Sequence, residues 1–310
     1  MTPFTENQFL ELGFEALRDK TWLNSSRAMQ EQNFRSLYGT SARVLSKIWS
    51  DLQAKLEEPL PSSTNPVYLL VAYRWLKSYL SEPELKSEFS IGVKSVREWS
   101  RYFVVKIASL RAIKIDKFWL DDRGFQMGRT TDGIHYPITE PRPFDTSYSS
   151  HKIGGKPALM YEYCLDTWQD QIVWLNGPFP AGTQDRTVFS TKGLKKAVED
   201  LQAARGNTEI RIIADDGYFK EELVDTLSFR NEFDPLEIEW YKDRSLSRHE
   251  TFNGRTTNFR CLVKKFHHDR SSDNTAQEFP KHQACVEAIC VTIQYEFDLG
   301  ETKLFDPYPS

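Results

Sequence analysis

Cysteine is scarce in this chain, with four residues among 310, at positions 164, 261, 285 and 290. None forms a Cys-x-x-Cys pair, and the spacings fit no disulfide framework, a pattern that suits a reducing compartment better than secretion. Taken with His267, His268 and His282, the cysteines offer no short paired ligand spacing, so a tetrahedral zinc site is disfavoured. Long apolar runs are also missing. Nothing approaches the roughly 20 residues of a membrane-spanning helix. Met1-Thr2-Pro3-Phe4 does not open a charged-then-apolar targeting pattern. There is no Gly-x-Ser-x-Gly elbow and no phosphate-cradling glycine loop, which removes the usual marks of α/β-hydrolases and P-loop enzymes. No internal repeat or low-complexity tract is present. The expectation is a soluble, intracellular protein without a membrane partner.

What the chain does have is apolar material for a core. Hydrophobic residues make up 39% and aromatic residues 13% of it, which argues against disorder. Its length leaves room for two domains. The net charge of −4 speaks against a simple basic DNA binder, yet it is unevenly spread. Residues 1–120 hold 17 Lys and Arg against 13 Asp and Glu, and the remainder holds 23 against 31. A mildly basic front and an acidic back fit a DNA-reading arm joined to a metal-binding body.

The acidic body centres on Ile210-Arg211-Ile212-Ile213-Ala214-Asp215-Asp216-Gly217-Tyr218. A short β-favouring run bounded by a turn signal reads as a buried strand, and α/β sheets present ligand-handling residues just beyond the carboxyl ends of such strands. The simpler role for Asp215 and Asp216 is to end the strand and cap a helix from Phe219 to Leu227. Two further acids change the balance. Asp132 lies upstream in a strand-like segment, and Glu250 lies downstream near the start of an expected helix. Asp, Asp and Glu on strand, strand and helix make an all-oxygen site for a divalent cation. Two such ions clamp the attacking and leaving oxygens of an in-line phosphoryl displacement.

Along the chain, helices are expected over Glu6–Leu17, across Asn33–Tyr38 to a stop at Gly39, and from an N-cap at Ser41 with Val44, Leu45, Ile48 and Leu52 on one face. A breaker-rich connection, 58–66, precedes a helix from Val67 to Leu80. Glu84–Phe89, the turn Ser90-Ile91-Gly92 and a helix from Lys94 then suggest a helix–turn–helix. Its last helix buries Val96, Trp99 and Phe103 and sets Lys94, Arg97 and Arg101 on the opposite side. Strands follow at Lys117–Leu120 and around Asp132, with a boundary near residue 112. Thr139–Gly155 reads as a polar loop, and Pro157–Leu165 with Gln171–Leu175 as an antiparallel hairpin. Asp185 opens an expected helix through Ala203, where capping is its simplest role and a place near the metals the alternative. Leu236–Tyr241 reads as an edge strand, 271–278 as a polar loop, and Ala284–Phe297 as a final helix.

Taken in order, Thr131-Asp132-Gly133-Ile134-His135-Tyr136-Pro137, Ser150-His151-Lys152, Tyr161-Glu162, Gly177-Pro178-Phe179-Pro180-Ala181-Gly182, Asp215-Asp216-Gly217-Tyr218 and Arg248-His249-Glu250 resemble the DDE-superfamily endonuclease domain. The Harbinger-type transposases and genes derived from them are the nearest in look. The resemblance spans roughly residues 115 to 305 and implies an α/β, RNase H-like domain with a mixed sheet over 113–310, preceded by an all-helical, helix–turn–helix DNA-binding region over 1–112. It implies Asp132, Asp215 and Glu250 as catalytic and metal-binding residues, two Mg²⁺ or Mn²⁺ ions, and cutting or joining of DNA phosphodiester bonds. Lys94, Arg97, Arg101, His151, Lys152 and Arg255 are the expected DNA contacts. The implied partners are double-stranded DNA and a separate Myb-like DNA-binding protein, with a homodimer allowed and the nucleus as the location. Thr257 departs from the pattern, standing where related enzymes often carry a basic residue, with Arg255 and Arg260 nearby. That departure is the ground for the alternative, a domesticated and catalytically weak DNA- or protein-binding factor.

Overall fold

The computed structural model describes residues 4–18, 20–61, 63–115, 128–141, 143, 145–206, 209–226, 236–267 and 279–304. The strand expected at Lys117–Leu120 and the loop expected at 271–278 lie outside these. The chain forms two compact units, one drawn from residues 1–113, 256–264 and 280–299, the other from 114–255, 265–279 and 300–310. No described helix is long and apolar enough to cross a membrane.

The first unit is all helical. It comprises α1 (Glu6–Ala16), α2 (Arg27–Tyr38), α3 (Ala42–Ala54), α4 (Val67–Ser78), α5 (Glu82–Phe89), α6 (Val93–Ala108), the single turn α7 (Arg111–Lys114), α11 (Arg260–Val263) and α12 (Pro280–Asp298). Local signals set the ends. Thr5 and Gln8 form a reciprocal capping box on α1. Gly39 ends α2 at φ 83°, a left-handed position open to glycine at little cost. The Ser41 hydroxyl accepts from the Val44 amide to start α3. Helices α5 and α6 flank the Ser90-Ile91-Gly92 turn. The interior is aromatic, with Phe9, Phe14, Phe34, Tyr38, Tyr73 and Phe103 fully buried.

One expectation needs correcting here. The sequence reading puts the last helix in the second domain, yet α12 completes the core of the first. It buries Val286, Ile289, Val291, Ile293 and Tyr295 together with Thr292, Gln294 and Glu296. A helix buried on nearly every side must be enclosed by other elements, and here α3 and α6 enclose it. Its polar groups find long-range partners: Tyr73 Oη with Thr292 Oγ1 at 2.7 Å, Thr40 Oγ1 donating to Glu296 at 2.7 Å, and Tyr295 Oη donating to Asp51 at 2.7 Å.

Asp51 is buried and also receives Lys47 and Lys55 at 3.0 and 3.1 Å. Burial works to raise its pKa, but the Tyr295, Lys47 and Lys55 hydrogen bonds outweigh it and hold the carboxyl below its ordinary value. A depressed carboxylate stabilises the fold above its unfolded pKa, and that stability is lost as pH falls through the folded pKa. Asp51→Ala should therefore cost roughly 1–3 kcal/mol near neutral pH, because it strands a buried Tyr295 hydroxyl. The deficit should narrow in acid. Urea melts of both proteins at pH 7 and pH 3 check this, and an equal deficit at both would contradict it.

The second unit is built on a mixed sheet of β1 (Arg129–Pro137), β2 (Ser149–Ser150), β3 (Lys156–Asp166), β4 (Ile172–Pro180), β5 (Ile212–Ala214) and β6 (Val224–Thr226). Leaving aside the two-residue β2, which pairs with the start of β3, the order across the sheet is β4-β3-β1-β5-β6. Strands β4, β3 and β1 run antiparallel, while β5 and β6 run parallel to β1. This is the strand order of an RNase H-like sheet, and the unit is α/β as expected.

Side-chain alternation divides β3 between two layers. Cys164 joins Phe189, Leu194, Val198 and Leu201 of α8 (Asp185–Thr191) and α9 (Leu194–Ala204) in one hydrophobic cluster. Tyr163, on the other face, meets Phe252 of α10 (Leu236–Thr256) edge-on, with centroids 5.0 Å apart. Three local expectations differ from what is observed. Asp185 opens a seven-residue helix, and Gly193, at φ 113°, separates it from α9. Asp215 caps a single 3₁₀ turn, Asp216–Tyr218, and β6 lies within the stretch expected to be helical. Leu236–Tyr241 is the opening of α10 rather than an edge strand.

Candidate active site

Strands β1 and β5 pair in parallel as Arg129↔Ile212, Thr130↔Ile213 and Thr131↔Ala214. The next step of that register sets Asp132 beside Asp215, where β5 has ended and the sheet opens. Each carboxylate is fixed by its own backbone: Asp132 accepts from the Gly133 amide at 2.7 Å, and Asp215 accepts from the Gly217 amide at 2.9 Å. Burial, then the neighbouring charge of Asp132, lifts the Asp215 carboxyl above its ordinary range. Like charges crowded at one edge leave ionisation incomplete unless a cation answers them.

In this structure the answering cation is Lys152. Its Nζ lies 3.6 Å from Asp132 Oδ1 and 3.3 Å from Asp185 Oδ2, and it donates to the Gly133 carbonyl at 2.8 Å. Burial alone would lower the lysine pKa, but the Asp132, Asp185 and Asp215 charges reverse that and hold the ammonium above its usual value. The anchor behind Lys152 is His135 on β1, whose Nδ1 lies 2.6 Å from Ser150 Oγ, just before the turn that carries the lysine. Burial brings His135 down to about 4, so its ring stays neutral near pH 7. His151 is exposed, its ring 5.8 Å from that of His135.

Asp185 is the acid that local rules undervalue. Its side chain is 8% exposed, so it is no surface cap. Burial pushes its carboxyl upward, Lys152 opposes that, and Asp132 adds to it. Two glycines make its place: a Cβ on Gly133 would overlap Asp185 Oδ1, and one on Gly217 would come within 2.9 Å of Asp215 Oδ1 and 3.2 Å of Asp185 Oδ2. Asp185 and Asp215 therefore face one another across a glycine. Beneath them, Glu162 pairs with Gly133 across β1 and β3 and takes the Trp174 indole N–H at 3.3 Å. Burial lifts Glu162 to about 8, keeping it neutral near pH 7.

Glu250 stands two-thirds of the way along the 21-residue α10, not near its start. Its turn packs on β1: His249 is buried and feels the Asp132 charge, and Phe252 meets Tyr163, the cross-strand partner of Asp132. The Glu250 side chain is exposed. The structure thus brings Asp132, Asp215, Lys152 and Asp185 together and sets Glu250 on the neighbouring helical turn. Arg255, further along the same helix, donates to the Lys303 carbonyl at 2.8 Å. In the helical unit, Lys94 and Arg101 are exposed on α6, whereas Arg97 is held by both carboxylate oxygens of Glu82 at 2.7 and 2.5 Å.

Among the described residues, Asp185 Oδ1 and Glu162 Oε1 are buried without a hydrogen-bond partner, and the donors on offer are hard carboxylate oxygens, which suit Mg²⁺ or Mn²⁺. Among the described residues, no three His, Cys, Asp or Glu side chains form a ready-made metal cage. The Lys152 distances above also exceed the roughly 2.0–2.1 Å of a Mg²⁺–oxygen bond. The chemistry of the set fits the ion, and the carboxylates would have to draw inward to hold it.

No protein-family model and no curated protein matches the chain. Two solved structures are similar to it at low level. One is a Mos1 transposase paired-end complex with left transposon end, at 9% identity and TM-score 0.26, covering 97% of this chain and 99% of that one. The other is a pre-cleavage Mos1 transpososome, at 8% identity and TM-score 0.25, covering 99% and 94%. Likeness at that level carries no argument about the site.

Proposed function

We propose that this chain is a metal-dependent DNA endonuclease or transposase of the DDE type. The observation that carries the reading is the juxtaposition of Asp132 and Asp215 at the opening of an RNase H-like sheet, with the Glu250 turn of α10 packed beside the first. In this reading Asp132, Asp215 and Glu250 hold two Mg²⁺ or Mn²⁺ ions. Ions so held supply a lowered pKa for a water or 3′-hydroxyl and charge neutralisation on the leaving oxygen. The protein's own part is placement. The Gly133 and Gly217 amides orient the two aspartates, the buried face under them excludes water, and exposed His151 is available to a phosphate.

Double-stranded DNA is the substrate in this proposal. Lys94 and Arg101 of α6 supply phosphate contacts, which set position rather than sequence, and Arg97 joins them on leaving Glu82. A separate Myb-like DNA-binding partner, a homodimer and a nuclear location belong to the same proposal. Incubating the purified protein with supercoiled plasmid and Mn²⁺, against an EDTA control, tests it. Conversion to nicked circles only with the metal is expected, and DNA binding without nicking would favour the domesticated factor instead.

A further inference from the structure

We propose that Lys152 is a built-in placeholder for the divalent ion, and that Asp185 is a further oxygen donor, beside Asp132, Asp215 and Glu250, that the ion gains when it displaces the lysine. The inference rests on the metal-dependent reading above and extends it to residues that the reading leaves unassigned. One ammonium lies within 3.6 Å of Asp132 and 3.3 Å of Asp185, so the two carboxylates share a single cationic point. Asp185 faces Asp215 as well, across Gly217. An acidic cluster alone would say little. Here Asp185 is nine-tenths buried and, among the described residues, keeps Oδ1 without a partner, at the spot left open by the absent side chain of Gly133. A buried carboxylate oxygen left unsatisfied is costly unless something comes to meet it.

The lysine is suited to leaving. Its side chain retains 30% of its exposure, and it rides on a short 3₁₀ turn, His151–Ile153, that ends at Gly154 in the left-handed region. An ammonium also coordinates as a point charge on a flexible stem, so an ion of twice the charge at the same point outcompetes it. Once displaced, Lys152 is free to swing toward a DNA phosphate at the same opening.

The test uses the full chain and Mn²⁺ alone, without DNA. Titration followed by electron paramagnetic resonance should show Lys152→Met binding Mn²⁺ about tenfold more tightly than the parent, because the competing cation is gone. Asp185→Asn should bind roughly 10–100-fold more weakly. Lys152→Met leaves the acids unbalanced, so a second readout on the unaltered protein covers the case in which that variant fails to fold. Acetylation of Lys152 by an amine-reactive ester, followed by peptide mass spectrometry, should speed up when Mn²⁺ is added. Unchanged or weaker Mn²⁺ binding by Lys152→Met, or acetylation indifferent to Mn²⁺, overturns the placeholder. If Mn²⁺ binding is still lost in Asp215→Asn, the metal-dependent reading survives that result. No Mn²⁺ binding by any of these proteins removes both.

Discussion

Asp215→Asn is expected to lower Mn²⁺-dependent nicking by at least about 100-fold, the scale on which disturbed metal shells lose function, while leaving the fold intact. The choice of asparagine matters. Asp215 has two jobs in the structure, as a carboxylate facing Asp132 and Asp185 and as the acceptor that caps the Gly217 amide. Alanine removes both, and the lost cap alone costs about 0.5–2 kcal/mol. Asparagine keeps an oxygen for the cap and removes the charge. Asp216→Ala is the control, because its side chain is exposed one residue away. Plasmid relaxation and thermal melts on all three check the prediction. If Asp215→Asn nicked at the parent rate, the carboxylate could not be holding a catalytic ion.

The second large effect concerns the helical unit. A fragment of residues 1–113, which carries the helix–turn–helix, is expected not to fold by itself. Its core lacks α12, and with it the fully buried Val286, Ile289, Val291, Ile293 and Tyr295. Each such side chain is worth roughly 1.5–3 kcal/mol on burial. Five of them approach the whole stability of a typical domain, about 5–15 kcal/mol. Removing the helix also takes Thr292 from Tyr73, Glu296 from Thr40 and the Tyr295 hydroxyl from Asp51. Joining residues 280–299 to the fragment through a flexible linker should restore a cooperative urea transition by circular dichroism. Cooperative unfolding of 1–113 alone would contradict this.

How much of this was legible beforehand depended on whether the cause was local. Strands β1 and β5 carry β-branched residues closed by Asp and Gly, the β3–β4 hairpin carries apolar and aromatic runs on either side of a polar turn, and the α/β class followed from them. The caps at Gly39 and Ser41 are equally local. Leu236-Glu237-Ile238-Glu239-Trp240 alternates like a strand but is helical, so the 21-residue α10 overrides a short pattern inside it. Asp185 reads as a cap from its neighbours in sequence. Its burial comes from Gly133 and Gly217, which lie far from it on either side along the chain, and no local rule reaches that far. The unit to which α12 belongs is also a long-range fact. Ala284–Phe297 reads as a helix from its own sequence, but nothing local says which helices enclose it.

The placement of α12 has a consequence for how the molecule is made. Thr40 waits for Glu296, 256 residues later, and Tyr73 waits for Thr292. A ribosome adding about 5–20 residues per second delivers the strands from Arg129 to Thr226 and all of α10 before the segment that finishes the first unit. The opening helices must therefore spend that interval with aromatic surface uncovered, the circumstance in which nascent chains rely on chaperones.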